Sequence, residues 1–195
     1  MKKIDIKLIC FTLIILLTIT NLKAAYVPSV VETDKDAQIM LSRALDMLRN
    51  KLSMNFQRPI KVELKTGPEL DAIASDSHYK GAIVGLHTMK NGVHMVYMMK
   101  DAGRDDFFGT ICHELTHGWQ AENCPGQSLI LKEGTAVWVQ QKCLLWDGAY
   151  IKANRLNQVI GDPVYGVGYR FVQELEDKVG ETKVLAEVKK LKDIK

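Results

Sequence analysis

An excess of basic charge is lacking once the first residues of this chain are set aside. Lys2, Lys3, Lys7 and Lys23, against Asp5, account for the whole formal net charge of +3, so residues 25–195 are close to neutral. With no basic stripe and no basic run interleaved with aromatics, nucleic-acid binding has no electrostatic support. Apolar runs are short as well. The one at residues 8–19 spans twelve positions, whereas a bilayer-crossing helix needs about twenty. Preceded by Met1-Lys2-Lys3 and followed by Leu22-Lys23-Ala24, which offers a small residue for cleavage, it reads as a signal peptide over residues 1–24 and predicts an exported protein, periplasmic or secreted. The alternative is an uncleaved signal anchor that tethers the chain to a membrane; no other stable membrane association is expected. Cys10 lies inside the run and not at its end, so no lipoprotein attachment is indicated. Only Cys112, Cys124 and Cys143 follow it, and an export context permits a Cys124–Cys143 disulfide. Internal repeats, low-complexity tracts and a second domain are missing too. Residues 25–195 are read as one domain with room for a sizeable core.

What is present centres on Ile111-Cys112-His113-Glu114-Leu115-Thr116-His117. On a helix of 3.6 residues per turn His113 and His117 lie one above the other on one face, so their imidazoles can converge on one ion. Two imidazoles supply two of the three protein ligands of an open tetrahedral zinc site, and the adjacent Glu114 can reach the water in the fourth position. The helix has its own signals: Asp105 or Asp106 as N-cap, and Phe108, Ile111, Cys112 and Leu115 at helical spacing. A third ligand is offered sixteen residues on. Ser128 caps a second predicted helix with apolar positions 129, 130, 136, 137 and 144, and Glu133 falls among them. A carboxylate in such company costs several kcal/mol to bury unpaired, so its partner is a metal or a cation such as Arg. Gly134 next to it lets another backbone approach closely.

The series His113-Glu114-Leu115-Thr116-His117-Gly118-Trp119, Lys132-Glu133-Gly134-Thr135-Ala136 and Tyr165-Gly166-Val167-Gly168-Tyr169-Arg170 resembles the peptidase domain of the plant DA-one family over residues 80–190. Those proteins are ubiquitin-activated, growth-restricting peptidases that carry LIM segments. The resemblance implies a minimal gluzincin, with zinc on His113, His117 and Glu133, and Glu114 as general base. Together with their position after the ligand helix, it points to Tyr165 or Tyr169 as a donor to the oxyanion; Arg170 is read as a partner of Glu133 or another carboxylate. Three departures are Gly118 for Ala, Lys132 for the first Glu of a pair, and a loop one residue shorter before Glu133. Nothing matches the ubiquitin-interacting and LIM segments, so no ubiquitin link is carried over.

Around this centre the sequence predicts a scaffold. Thr33 or Asp34 opens a helix over 35–54, residues 60–65 alternate as a strand, and Gly67-Pro68 reads as a turn, with 69–80 ambiguous. Asn91-Gly92 is a hairpin signal, because a type I′ turn needs positive φ at both central residues. A two-residue loop there pairs Lys90 with Val93, Met89 with His94 and His87 with Val96. That sets His87 and His94 on one strand face, read as solvated, with a second metal or a hydrogen bond to a substrate oxyanion as the alternatives; His78 has no evident partner. Residues 150–160, 169–178 and 181–191 read as further helices, the last with Val184, Leu185 and Val188 inward. Gly166 and Gly168 serve backbone packing, since the strand, further glycine and Lys-Ser/Thr of a phosphate loop are missing.

The fold expected is α+β and zincin-like, a small sheet with its 92–99 strand near the cleft, packed on a helical half that carries both ligand helices. The function expected is a zinc-dependent metallopeptidase acting on a peptide or protein substrate. The competing expectation is a catalytically inactive exported module of the same fold that binds zinc or protein.

Overall fold

The computed structural model describes residues 26–75 and 83–194. The signal-peptide reading, Cys10 and His78 fall outside them. Among the described residues no helix is long and apolar enough to cross a membrane.

The chain enters through β1 (Val30–Val31) and a reciprocal cap. The Thr33 hydroxyl accepts the Asp36 N–H at 3.2 Å, and the Asp36 carboxylate accepts the Thr33 N–H at 3.1 Å. This satisfies two donors that a helix start leaves without partners. Helix α1 (Asp34–Leu52) then buries Ala37, Met40, Leu41, Ala44, Leu48 and Leu52, the stripe its spacing predicts. Ser53, at φ 54, ends it. After β2 (Ile60–Lys65) the chain departs from expectation, because Gly67-Pro68 is no turn but the opening of α2 (Gly67–Ala74). Glu69 accepts the Thr66 N–H at 2.7 Å, and proline in a first helical turn sacrifices no intrahelical bond.

Strands β3 (Gly85–Lys90) and β4 (Val93–Met99) form the hairpin, with Asn91 and Gly92 at φ 51 and 77. Its register is the one predicted: Lys90 faces Val93, Met89 faces His94 and His87 faces Val96. β4 also runs parallel to β2, giving the order β2-β4-β3. Side chains of β4 alternate, with Val96 and Met98 in the main core and Met95 and Tyr97 packed with Leu70 and Ala74 of α2. A central strand buried on both faces is the result.

β5 (Ala102–Gly103) pairs with β1 and leads directly into α3 (Arg104–Asn123). The N-cap is Gly103, not Asp105 or Asp106, because the β1–β5 ladder carries extended backbone up to that residue and the Arg104 N–H is taken by Ser29 O at 2.9 Å. Both aspartates sit in the first turn instead, where negative charge favours the helix. The Ser128 hydroxyl accepts the Leu131 N–H at 3.4 Å and opens α4 (Leu129–Trp146) as predicted, although Leu129 itself is exposed.

The remaining boundaries shift. α5 (Tyr150–Arg155) passes into a 3-10 stretch at Leu156–Gly161. α6 (Tyr165–Val179) begins four residues earlier than the spacing suggests, because the Asp162 carboxylate accepts the N–H groups of Val164 and Tyr165 at 2.8 and 2.7 Å. The last predicted helix is a 3-10 turn, Glu181–Lys183, followed by the short α7 (Val184–Val188), with Val184, Leu185 and Val188 buried as predicted. The architecture is α+β: seven α-helices among the described residues and a small sheet. Gly134 on α4 and Gly168 on α6 bring these helices into backbone contact. A Cβ at 134 would lie 2.1 Å from the Gly168 carbonyl carbon, and one at 168 would lie 2.0 Å from Ile130 O. Both glycines were singled out for close approach, and they approach each other.

Candidate metal centre

α3 is held by its buried residues Phe107, Phe108, Ile111, Cys112 and Leu115, which turns His113 and His117 toward α4. The two rings lie 4.8 Å apart between centroids at an interplanar angle of 82°. Glu133, 8% exposed, meets them from α4: its Oε2 is 3.3 Å from His113 Nε2 and 3.5 Å from His117 Nε2. The three ligand atoms lie within 4.8 Å of one another, so the group can hold a metal ion. A tetrahedral ion about 2.1 Å from nitrogen and oxygen donors sets donor–donor edges of about 3.4 Å. The two measured edges match that value. Glu133 Oε2 is also buried without any hydrogen bond, a costly state for a carboxylate oxygen unless a cation completes it.

Charge follows the same geometry. Burial pushes the Glu133 carboxyl up, yet His113 and His117 beside it hold it down at about 2. Burial lowers the His117 imidazole, but Glu133, Glu114 and Gln120 together raise it to about 9. Gln120, which the sequence reading passed over, fixes the ring. Its Nε2 donates to Lys132 O at 3.0 Å, so its Oε1, 3.0 Å from His117 Nδ1, is the acceptor. The His117 Nδ1–H is spent there, so Nε2 is the ring nitrogen that faces the site. Its position one helical turn beyond His117 is the signal that could have found it.

A cavity of about 480 Å³ opens over this group, lined by residues 83–87, Glu114, Gln140 and Tyr165 among others. Glu114 is 8% exposed. It is packed by Gly85, where a Cβ would lie 2.5 Å from the Thr110 methyl and 3.2 Å from Glu114 Oε1. β3 thus forms the wall, and not β4 as expected, because β4 is enclosed between its two neighbours.

Other expectations are corrected. Tyr169 is fully buried, donates to Gln141 Oε1, lies 3.2 Å from Asn157 Oδ1, and accepts from Gln173 Nε2 at 2.8 Å; it is a core residue away from the cavity. Tyr165 does line the cavity, its ring 6.5 Å from His113, and burial pushes its phenol up to about 12, so it remains a donor. Arg170 donates to Ile160 O and not to Glu133. The three described cysteines are free: Cys143 hydrogen-bonds with Cys112 where α3 packs on α4, leaving Cys124 without a bridging partner. His87 and His94 do not lie on a solvated face. His94 is 1% exposed, because α3 and Glu122 cover that side of the sheet.

Comparison with protein families, with curated proteins and with solved structures returns no match. The chemistry open to the site therefore rests on its own geometry. Two imidazoles and a carboxylate form a ligand set suited to zinc, and a second carboxylate, Glu114, borders the same cavity without joining it.

Proposed function

We propose that the chain is a zinc-dependent metallopeptidase with a zincin-like fold, similar to the DA-one peptidase domain, acting on peptide or protein substrates as an exported enzyme. The observation that carries this reading is the division between the three converging ligands and Glu114, which lines the cavity beside them. A site meant only to fasten two helices has no use for that extra carboxylate. His113, His117 and Glu133 would hold the zinc, which would supply Lewis-acid polarisation of a carbonyl and a lowered water pKa. Glu114 takes the proton of the attacking water and returns it to the leaving amine. To the Tyr165 phenol, kept protonated by burial and lining the same cavity, we assign the role of donor to a developing oxyanion.

The test is Glu114→Gln with zinc content, melting temperature and hydrolysis of casein and quenched peptides measured together. Zinc and stability are expected to stay near wild type, while hydrolysis falls by roughly 10²- to 10⁴-fold, the usual worth of a positioned base. One zinc per chain with no hydrolysis by the wild type establishes the inactive zinc-binding module instead, and hydrolysis indifferent to Glu114→Gln removes Glu114 as the base.

A further inference from the structure

Behind the wall of the cavity lies a line of three side chains that the peptidase reading does not use. His87 Nε2 is 2.9 Å from His94 Nδ1, and His94 Nε2 is 2.9 Å from Glu122 Oε1. The Glu122 carboxylate also accepts the backbone N–H groups of Gln57 and Arg58 at 2.9 and 3.0 Å. His94 and Glu122 are almost wholly enclosed, with side chains 1% and 4% exposed, whereas His87 borders the cavity.

With a neutral His94 ring the direction of these bonds follows. An ionised carboxylate can only accept, so His94 Nε2 carries its proton and, in a neutral ring, His94 Nδ1 carries a lone pair. His87 Nε2–H must then be the donor to it. His87 Nδ1 is left as an acceptor, and no described residue donates to it. Burial, with His94 and His117 nearby, pushes the His87 imidazole down to about 3, which keeps the ring neutral.

Gly118 makes the arrangement possible. A Cβ at this position of α3 would lie 3.3 Å from His94 Nδ1 and 3.4 Å from His87 Nε2, against the hydrogen bond itself. Glycine inside a helix costs about 1 kcal/mol relative to alanine. The helix carries that cost where a methyl group would crowd the two rings. A buried polar chain is itself expensive unless every member is satisfied, and here the acceptor that has no donor among the described residues belongs to the residue at the cavity.

We propose that Glu122 and His94 are positioning residues that fix His87 as a substrate-binding hydrogen-bond acceptor, its Nδ1 receiving an N–H of a peptide held in the cavity. This rests on the peptidase reading for the identity of the ligand. The assigned tautomers do not. Imidazole ¹⁵N NMR of the wild type should show both His87 and His94 neutral and protonated on Nε2. A His87 ring protonated on Nδ1, or an imidazolium at His94, overturns the array.

The binding role is read with three variants of equal zinc content and a quenched peptide built on the preferred casein cut. His87→Leu removes the acceptor and is expected to raise KM about three- to ten-fold with kcat little changed, and to weaken binding of the same peptide to zinc-loaded Glu114→Gln protein by the same factor, the worth of one neutral hydrogen bond. His87→Gln can donate to His94 through Nε2 and accept through Oε1, and is expected to restore wild-type KM. Unchanged KM in His87→Leu, or equal loss in His87→Gln, removes His87 from substrate binding while leaving the peptidase reading intact. A wild type that cleaves nothing overturns both, and is told apart because Glu114→Gln then has no effect to show.

Discussion

Glu133 sets how the site answers to protons. Its carboxyl is held at about 2, below the ordinary 4.5, and His117 is held at about 9, above the ordinary 6.5. In chelator-treated protein the lowered carboxyl contributes stability that is complete above pH 4.5 and lost as pH falls through 2. The raised imidazole contributes stability that is complete below pH 6.5 and lost as pH rises through 9. Zinc reverses the alkaline limb, because binding expels the His117 proton and that exchange becomes easier as pH rises. The expected outcome is a melting temperature that falls from pH 6.5 to 9 in chelator, and a zinc-induced increment that grows over the same range. Melting scans in parallel with chelator and with zinc measure both; an increment that shrinks with pH over that range contradicts the assignment of His117.

At the scale of elements, α4 and α6 meet through Gly134 and Gly168, and backbone there leaves nowhere for a methyl group to go. Gly134→Ala should gain about 1 kcal/mol of helix propensity. The 2.1 Å approach to the Gly168 carbonyl carbon should outweigh that gain, giving a net loss of about 1–3 kcal/mol by overpacking. Zinc affinity should fall with it, since Glu133 is the preceding residue. Urea unfolding and zinc titration of this variant check both effects. The close approach was legible in the sequence, as were the Ser128 cap, the Asn91-Gly92 register and the convergence of His113, His117 and Glu133, because each is written in local spacing or local turn chemistry. What was not legible depends on residues far apart in the chain. Gly103 became a cap through its pairing with Val30; the early start of α6 is the local exception, since the Asp162 carboxylate caps N–H groups two and three residues on and the apolar spacing carries no sign of it. Tyr169 was claimed for the core by Gln141 and Asn157, and Cys143 by Cys112. His94 looked like a solvated strand residue because nothing in its neighbourhood of sequence announces Glu122, 28 residues away.

Across the whole molecule, Asp147 binds three helices together at one point. Its side chain, fully buried, accepts from Arg43 of α1, with Nε at 2.7 Å, and from Arg104 at the start of α3, while Asp147 itself caps the end of α4. Both arginines are about a third exposed, so removal of Asp147 leaves them hydrated and not stranded. Asp147→Ala is therefore expected to cost about 2–3 kcal/mol, the value of lost charge-assisted bonds, and not the larger penalty of an orphaned buried charge. Chemical denaturation measures it, and a loss below about 0.5 kcal/mol, the range of ordinary surface substitutions, would mean that the helices hold without this tie. The ligands and the proposed base all lie within the single helical hairpin formed by α3 and α4, whereas Gly85, His87 and Tyr165 reach the cavity from segments outside it. Inheritance can act on these two parts separately. The hairpin can stay fixed as a cartridge while exchanges at Leu86, His87 or Tyr165 redraw what the cavity accepts, whereas any side chain at Gly85 would press on Thr110 and Glu114.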